Sequence, residues 1–203
     1  LIPILNETLA DYNNIEIINK DVLKCDIDEL SREKNDGKPF KVVANLPYYI
    51  TTPIIMDMLE KHSAVTSMTV MVQKEAAQRL CARQQSRDIG AISLAVQYYS
   101  DPQMCFTVSP GSFYPAPKVT SSVIKLVVKK ENDIKPKNEK NMFRLIRASF
   151  TQRRKTLVNS RSATLGIPKG DIEQALETLA IDRLVRPEKV SLEQFRALSD
   201  ILL

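Results

Sequence analysis

A short apolar run, Phe40-Lys41-Val42-Val43-Ala44, breaks off at Asn45-Leu46-Pro47-Tyr48-Tyr49, and helical spacing takes over from residue 52 to 62. The run is too short for a buried helix and reads as a buried strand. Thr51 or Thr52 as cap, with Pro53 in the first turn, opens the helix that follows. The pattern then repeats. Residues 65–72 are apolar and β-branched, 74–83 and 89–99 have helical spacing, and 104–108 and 121–128 read as two further strands. Upstream, residues 1–12 have helical spacing, and Ile15-Glu16-Ile17-Ile18-Asn19 is strand-like, with Asp21 at its end. Asn35-Asp36-Gly37 marks a turn. Such alternation, finished by a strand pair, predicts an α/β fold with a mostly parallel sheet and helices on both faces. Sheets of this kind hold ligands in the crevice at the carboxyl ends of their strands, which is where Asn45 and Asp21 fall.

A charged stretch at 129–140, containing Pro136, separates this region from a different pattern. Residues 141–151, 169–180 and 191–203 each show helical periodicity, and Ser191 with Gln194 forms a capping box. The chain therefore divides into an α/β domain, residues 1–130, and a small all-α domain, residues 131–203. With 203 residues, 43% hydrophobic and 26% charged, it is an ordinary globular composition. No run reaches the length of a membrane span, and no signal peptide is visible. Cys25, Cys81 and Cys105 are scattered, lack metal-ligand spacing and fit reduced thiols in a cytosolic protein. The only histidine, His62, reads as a surface residue late in a helix, without a partner.

The net charge of +5 is compatible with a polyanionic partner, and its distribution says more. The densest basic cluster is Phe150-Thr151-Gln152-Arg153-Arg154-Lys155-Thr156-Leu157-Val158-Asn159-Ser160-Arg161, with Arg144 and Arg147 one helical turn apart just before it. Arg153, Arg154 and Lys155 suit a phosphate backbone, although a solvated helix end gives the same run.

Asn45-Leu46-Pro47-Tyr48 resembles the catalytic tetrapeptide of adenine-N6 methyltransferases that use S-adenosylmethionine. Chemistry supplies a reason for each residue. The exocyclic amine of adenine is a poor nucleophile because its lone pair is delocalised into the ring. The Asn45 side-chain oxygen and a backbone carbonyl next to Pro47 can accept hydrogen bonds from it, aligning the nitrogen and favouring a more tetrahedral geometry. Pro47 fixes its own φ and stiffens the local carbonyls. Tyr48 can stack on a base taken out of its own stack. The alternative is a strand followed by a proline turn with surface tyrosines. A carboxylate at Asp21 can accept the amino group of a cofactor adenine while the Val22 N–H donates to a ring nitrogen; otherwise Asp21 is a cap or loop residue. The stretch 106–123 is rich in aromatics and prolines, and Pro110, Pro115 and Pro117 stiffen a loop between two strands. In it Phe113 can wall an extruded base and Lys118 can meet a phosphate, or Phe113 can simply fill core.

Taken together, these segments are similar to the ribosomal RNA small-subunit adenine-N6,N6-dimethyltransferase family, whose loss in bacteria gives kasugamycin resistance. The likeness is carried by residues 45–50, by Val72-Gln73-Lys74-Glu75-Ala76-Ala77-Gln78-Arg79-Leu80, by the 113–121 loop, by Phe150 with Gln152-Arg153-Arg154-Lys155-Thr156-Leu157, and by Arg186-Pro187-Glu188 leading to Ser191 and Phe195. It covers essentially the whole chain. The resemblance implies a Rossmann-like S-adenosylmethionine methyltransferase sheet lacking its first strand or strands, followed by an all-α RNA-binding domain. Asp21, Val22 and Asn45 would contact the cofactor. Asn45, Leu46, Pro47 and Tyr48 would hold the target amine, and Phe113 would pack on the target base. The reaction implied is in-line methyl transfer to N6, repeated once, on two adjacent adenines near the 3′ end of small-subunit ribosomal RNA. It needs no metal, and it needs no strong base because N6 becomes acidic once methylated. A cytoplasmic monomer serving ribosome biogenesis, with no membrane, is expected. The family's glycine-rich loop is missing: the five glycines, at 37, 90, 111, 166 and 170, form no G-x-G. The chain opens as though mid-protein; it is expected to bind S-adenosylmethionine weakly or not at all and to be weakly active or inactive by itself, with a longer parent as the enzyme. Competing readings are a macrolide-resistance dimethyltransferase of large-subunit RNA, a DNA adenine methyltransferase (disfavoured by Leu46, where that class has Pro), and a non-catalytic RNA-binding assembly factor.

Overall fold

The computed structural model describes residues 1–152 and 155–203; for residues 161–164 only the backbone is described. Four strands form one sheet: β1 (Phe40–Asn45), β2 (Val65–Gln73), β3 (Ser100–Val108) and β4 (Ser121–Val128), in the order β1-β2-β4-β3. β1 and β2 are parallel, joined by helix α3 (Thr51–Lys61), as a parallel pair requires. β4 runs antiparallel to both β2 and β3. The sheet is therefore mixed rather than mostly parallel, because β4 inserts between β2 and β3 and runs antiparallel to both, with β3 at the margin.

The registers Asn45↔Met71, Gln73↔Ser121 and Val108↔Ser121 bring the ends of β1, β2 and β3 and the start of β4 to one edge. Side-chain alternation splits the sheet into two unlike faces. Val42, Ala44, Met68, Val70, Val72, Ile124 and Leu126 point to one side, where they pack with Ile54, Ile55, Met58 and Leu59 of α3 and with Ala77, Leu80 and Val96 of α4 (Lys74–Leu80) and α5 (Ala91–Tyr99). The other side carries Val43, 81% exposed, and Phe106, 60% exposed, together with Lys41, Asn45 and Lys125. Among the described residues no helix covers that face, so the expectation of helices on both faces does not hold.

The run 15–19 forms no strand; Ile15 and Ile18 are exposed. A β-branched run gains ladder hydrogen bonds only beside a partner, and among the described strands β1 pairs with β2 alone. Before this run the described residues hold the short α1 (Ile2–Thr8), which buries none of its residues. Helix α2 (Ile27–Lys34) is held by Asp26, whose side chain accepts from Glu29 N–H at 2.8 Å, and it buries Ile27.

His62 is not a solvated surface residue. Its side chain is 10% exposed, with Nε2 3.4 Å from Asp57 and Nδ1 3.9 Å from Asp28. Asp28 reaches across from α2 and accepts from Ala64 N–H at 2.9 Å and Ser63 N–H at 3.2 Å. Burial pushes the Asp28 pKa up, but the Ala64 and Ser63 amides and the nearby imidazole outweigh it and leave it below 3.8. A lowered carboxylate stabilises the fold at pH above its ordinary value, and that contribution disappears as pH falls through the folded one. Asp28→Ala is expected to lower stability by about 1–3 kcal/mol at neutral pH, because two backbone donors lose their acceptor. The gap from wild type should narrow in thermal melts taken below pH 4. A gap that stays constant with pH would rule out the carboxylate as its source.

Four helices follow: α6 (Glu139–Ser149), α7 (Leu157–Leu165), α8 (Lys169–Thr178) and α9 (Leu192–Leu202). Asn138 caps α6 by accepting from Asn141 N–H at 3.1 Å, and α7 ends at Gly166, whose φ of +67° is the left-handed value glycine tolerates. Ser191 and Gln194 close the expected capping box at 3.2 and 2.9 Å. Met142, Leu145, Ile146, Leu157, Ile172, Leu176, Phe195 and Leu198 bury together, and the same cluster takes in Ala82, Ile89, Leu94 and Tyr98. Among the described residues no helix is long and apolar enough to cross a membrane.

Candidate active site

At the sheet edge, the chain leaves β1 through Asn45, and Leu46 N–H makes one last bond to Met71 O at 3.2 Å. Leu46 turns inward and is 6% exposed, while Asn45 stays exposed on the uncovered face. The turn is locked from behind. Pro47 O accepts from Ile50 N–H at 3.2 Å and from Thr51 Oγ1 at 3.1 Å. Thr51 is thus no side-chain cap: it is the first residue of α3, its hydroxyl bent back onto the proline turn, and Ile50 holds the cap position. With the Pro47 carbonyl occupied, the backbone acceptor next to Pro47 is that of Leu46, which receives no hydrogen bond among the described residues. The turn thus presents two free acceptors from adjacent residues, the Asn45 amide oxygen and the Leu46 carbonyl.

Tyr48 is half-buried, and its hydroxyl lies 2.6 Å from Ser121 Oγ, a fully buried group at the start of β4. That bond fixes the direction of the ring. The loop between β3 and β4 is rooted at the same place: Lys74 N–H, opening α4, donates to Thr120 O at 3.0 Å. A 3-10 turn at Pro110–Ser112 leads to Phe113, which is half-buried, while Lys118 is exposed. The structure therefore brings Asn45, Leu46, Pro47, Tyr48 and the roots of the Phe113 loop to one edge. Ser121 and Thr51 are the supporting residues that the linear pattern assigned no such role; only their places, one after a stiff loop and one after a proline turn, hinted at it.

Asp21 lies outside any strand. It caps a 3-10 turn, Val22–Lys24, by accepting from Leu23 N–H at 3.1 Å, and that turn packs on α3. Its second carboxylate oxygen and the Val22 N–H make no hydrogen bond among the described residues. An acceptor and a donor one residue apart are the kind of groups that the edge of an adenine requires. Lys155 is exposed and closes a turn onto Gln152 O at 2.9 Å; Arg153 and Arg154 lie outside the described residues. Arg144 and Arg147 are exposed on α6.

A mixed α/β sheet with flanking helices and a polar acceptor pair at a strand end, followed by a helical region, is the Rossmann-like setting in which ligands bind at strand ends. The family can be stated more closely. A model of the ribosomal RNA adenine dimethylase family matches residues 1–203, and the chain belongs to that family, whose members are S-adenosylmethionine-dependent methyltransferases. It is 52% identical over 205 residues to the ribosomal RNA small subunit methyltransferase A of Lachnoclostridium phytofermentans, an alignment covering all of this chain and 71% of the relative. To the same protein of Clostridioides difficile it is 46% identical, over all of this chain and 70% of the relative. Among solved structures it resembles a dimethyladenosine transferase from Plasmodium falciparum (TM-score 0.76, 24% identity, 94% of this chain and 73% of that one). It also resembles the 23S rRNA methyltransferase ErmE (TM-score 0.69, 22% identity, 98% and 77%). At that identity the two structures speak to fold alone.

Proposed function

We propose that the protein dimethylates N6 of two adjacent adenines near the 3′ end of small-subunit ribosomal RNA, as a cytoplasmic monomer acting on the assembling small subunit. The observation that carries this reading is the pair of free acceptors at Asn45 and Leu46, held by a turn whose next carbonyl is already occupied. The names of the sequence relatives support the small subunit over the large one.

S-adenosylmethionine, when bound, supplies an electrophilic methyl group; Asp21 and Val22 would hold its adenine, with Asn45 beside it. The chain's own residues act on the nucleophile. Asn45 and Leu46 accept the two amine hydrogens in the first transfer, and one of them accepts the single remaining hydrogen in the second, which draws the nitrogen lone pair out of conjugation and aims it. The Tyr48 ring, fixed by Ser121, forms one wall for the extruded base, and Phe113 forms the other. Lys118, Arg153, Arg154 and Lys155 neutralise RNA phosphates, with residues 131–203 as the principal RNA-binding part. A proton leaves N6 after methylation, when it is acidic, so the site works without a strong base.

This 203-residue chain has no G-x-G in its sequence, and among the described residues no helix covers one sheet face; on that ground we expect its own affinity for the cofactor to be weak. Calorimetry should return a Kd above about 100 μM, near the weak end of enzyme–ligand affinities. Saturable low-micromolar binding would remove this expectation. The function itself is tested with labelled S-adenosylmethionine at millimolar concentration and undermethylated small ribosomal subunits, digesting the RNA to nucleosides. Dimethyladenosine is the expected product. Retained subunit binding with no methylated adenosine would favour the assembly-factor reading instead.

A further inference from the structure

The polar segment Arg83-Gln84-Gln85-Ser86-Arg87-Asp88, between α4 and α5, is stapled to a distant part of the chain. Gln85 N–H donates to Glu188 O at 3.1 Å, and Gln84 Nε2 donates to Lys189 O at 2.9 Å. Both acceptors belong to the 3-10 turn Pro187–Lys189 that precedes α9. Internal bonds tighten the loop: Ser86 N–H to Arg83 O at 3.0 Å and Asp88 N–H to Ser86 Oγ at 3.2 Å. Gln85 sits at φ +66°, a left-handed conformation that a non-glycine residue keeps only where its surroundings hold it. This loop has a fixed shape.

A cavity of about 350 Å³ lies between the two segments, lined by Gln85, Ser86, Arg87, Phe150, Glu188 and Lys189 among others. Arg87 and Lys189 are exposed, come from opposite walls, and form no ion pair among the described residues. Gln85 and Ser86 add neutral polar groups, and the half-buried Phe150 adds an aromatic edge. Two cations lining one cleft, unpaired among the described residues and accompanied by one acidic group, Glu188, by hydrogen-bonding groups and by an aromatic edge, are means by which proteins hold a nucleic-acid backbone.

We propose that this cleft is a separate RNA contact, seating a backbone phosphate between Arg87 and Lys189. It rests on the reading of the protein as acting on RNA. It adds a contact remote in sequence from Asn45 and from the basic stretch at 153–155. Because its walls come from residues 83–88 and 187–189, a strand lying there bridges the α/β and helical parts of the chain.

The test is filter binding of the full chain to small-subunit ribosomal RNA across a salt series. Arg87→Glu/Lys189→Glu is expected to weaken binding about tenfold or more at low salt. It should also reduce the slope of log affinity against log salt by about one, as loss of one neutralised phosphate requires. Lys130→Glu/Lys135→Glu, which changes net charge equally at exposed positions, should leave the slope as in wild type. Arg87→Gln/Lys189→Gln repeats the test without new charge, and melting curves establish that each variant is folded. Wild-type affinity and slope in both cleft variants would overturn the proposal, as would an equal loss in the Lys130/Lys135 control. Failure of the wild-type chain to bind RNA at all would instead overturn the reading beneath it, and the cleft contact with it.

Discussion

Asn45→Ala is expected to lower the methyl-transfer rate about 10²–10³-fold, the usual consequence of removing one preorganised polar group aimed at a reacting atom. The fold should be unaffected. Asn45 is exposed at the end of β1, on the sheet face that no described helix covers, and its side chain makes no hydrogen bond among the described residues. Its amide is therefore free for a substrate and contributes little to stability, so the melting temperature should stay within about 2 °C of wild type. Asn45→Asp separates acceptor from charge: the carboxylate still accepts from an amine, and a partial recovery over alanine is expected. Tyr48→Phe, which keeps the ring and loses only the bond to Ser121, should cost far less than Asn45→Ala. Rates would be measured with undermethylated small subunits and millimolar S-adenosylmethionine. An alanine variant as fast as wild type would end the role assigned to Asn45, whatever the family.

The parts of this structure that were legible in the sequence are those whose physics is local. The β1 strand, the proline turn after it and the helix α3 are written within some twenty residues. So is the Ser191–Gln194 box, which involves only groups three positions apart. Residues 15–19 show the opposite case. Their composition is strand-like, but a strand is a relation between two segments, and the ladder partner was never in the local pattern. The two faces of the sheet could not be told apart for a related reason: Val43 and Val42 are the same residue type, and only the packing of α3, α4 and α5 decides that one is covered and the other 81% exposed. At the site, the Asn45-Leu46-Pro47-Tyr48 turn was legible, whereas the brace that aims Tyr48 was not, because Ser121 lies 73 residues away. His62 was misread for the same cause. Its carboxylate partners, Asp28 and Asp57, come together only after α2, α3 and β2 have packed.

The largest effect on stability is expected at Glu139, the first residue of α6. Tyr98 OH donates to its Oε2 at 3.1 Å, and Tyr99 OH donates to its Oε1. Tyr98 is 5% exposed and meets Tyr99 and Phe143 edge-on, at ring centroid distances of 4.9 and 5.2 Å. The carboxylate thus joins the last turn of α5 to the first turn of α6, where a negative charge is also favoured by the helix dipole. Glu139→Ala leaves the buried Tyr98 hydroxyl without its acceptor and removes two charge-assisted bonds, a loss of about 3 kcal/mol. For a chain of this size that corresponds to a fall of about 6–12 °C in melting temperature. Glu139→Gln, which keeps an acceptor, should fall about half as far. Alkali provides an independent check. Burial, and then the Glu139 charge and bond, raise the Tyr98 pKa from 10.0 to about 12, and Tyr99 is raised in the same direction. A raised pKa stabilises the fold fully below the unfolded value and loses that contribution as pH climbs through the folded one, so stability should decline between pH 10 and 12. Tyr98→Phe removes one titrating group and should flatten that decline, with Tyr99 left to account for the rest. If Glu139→Ala melted within a degree of wild type and the alkaline decline were unchanged in Tyr98→Phe, the joint between α5 and α6 would have to be held by the Tyr98, Tyr99 and Phe143 rings alone.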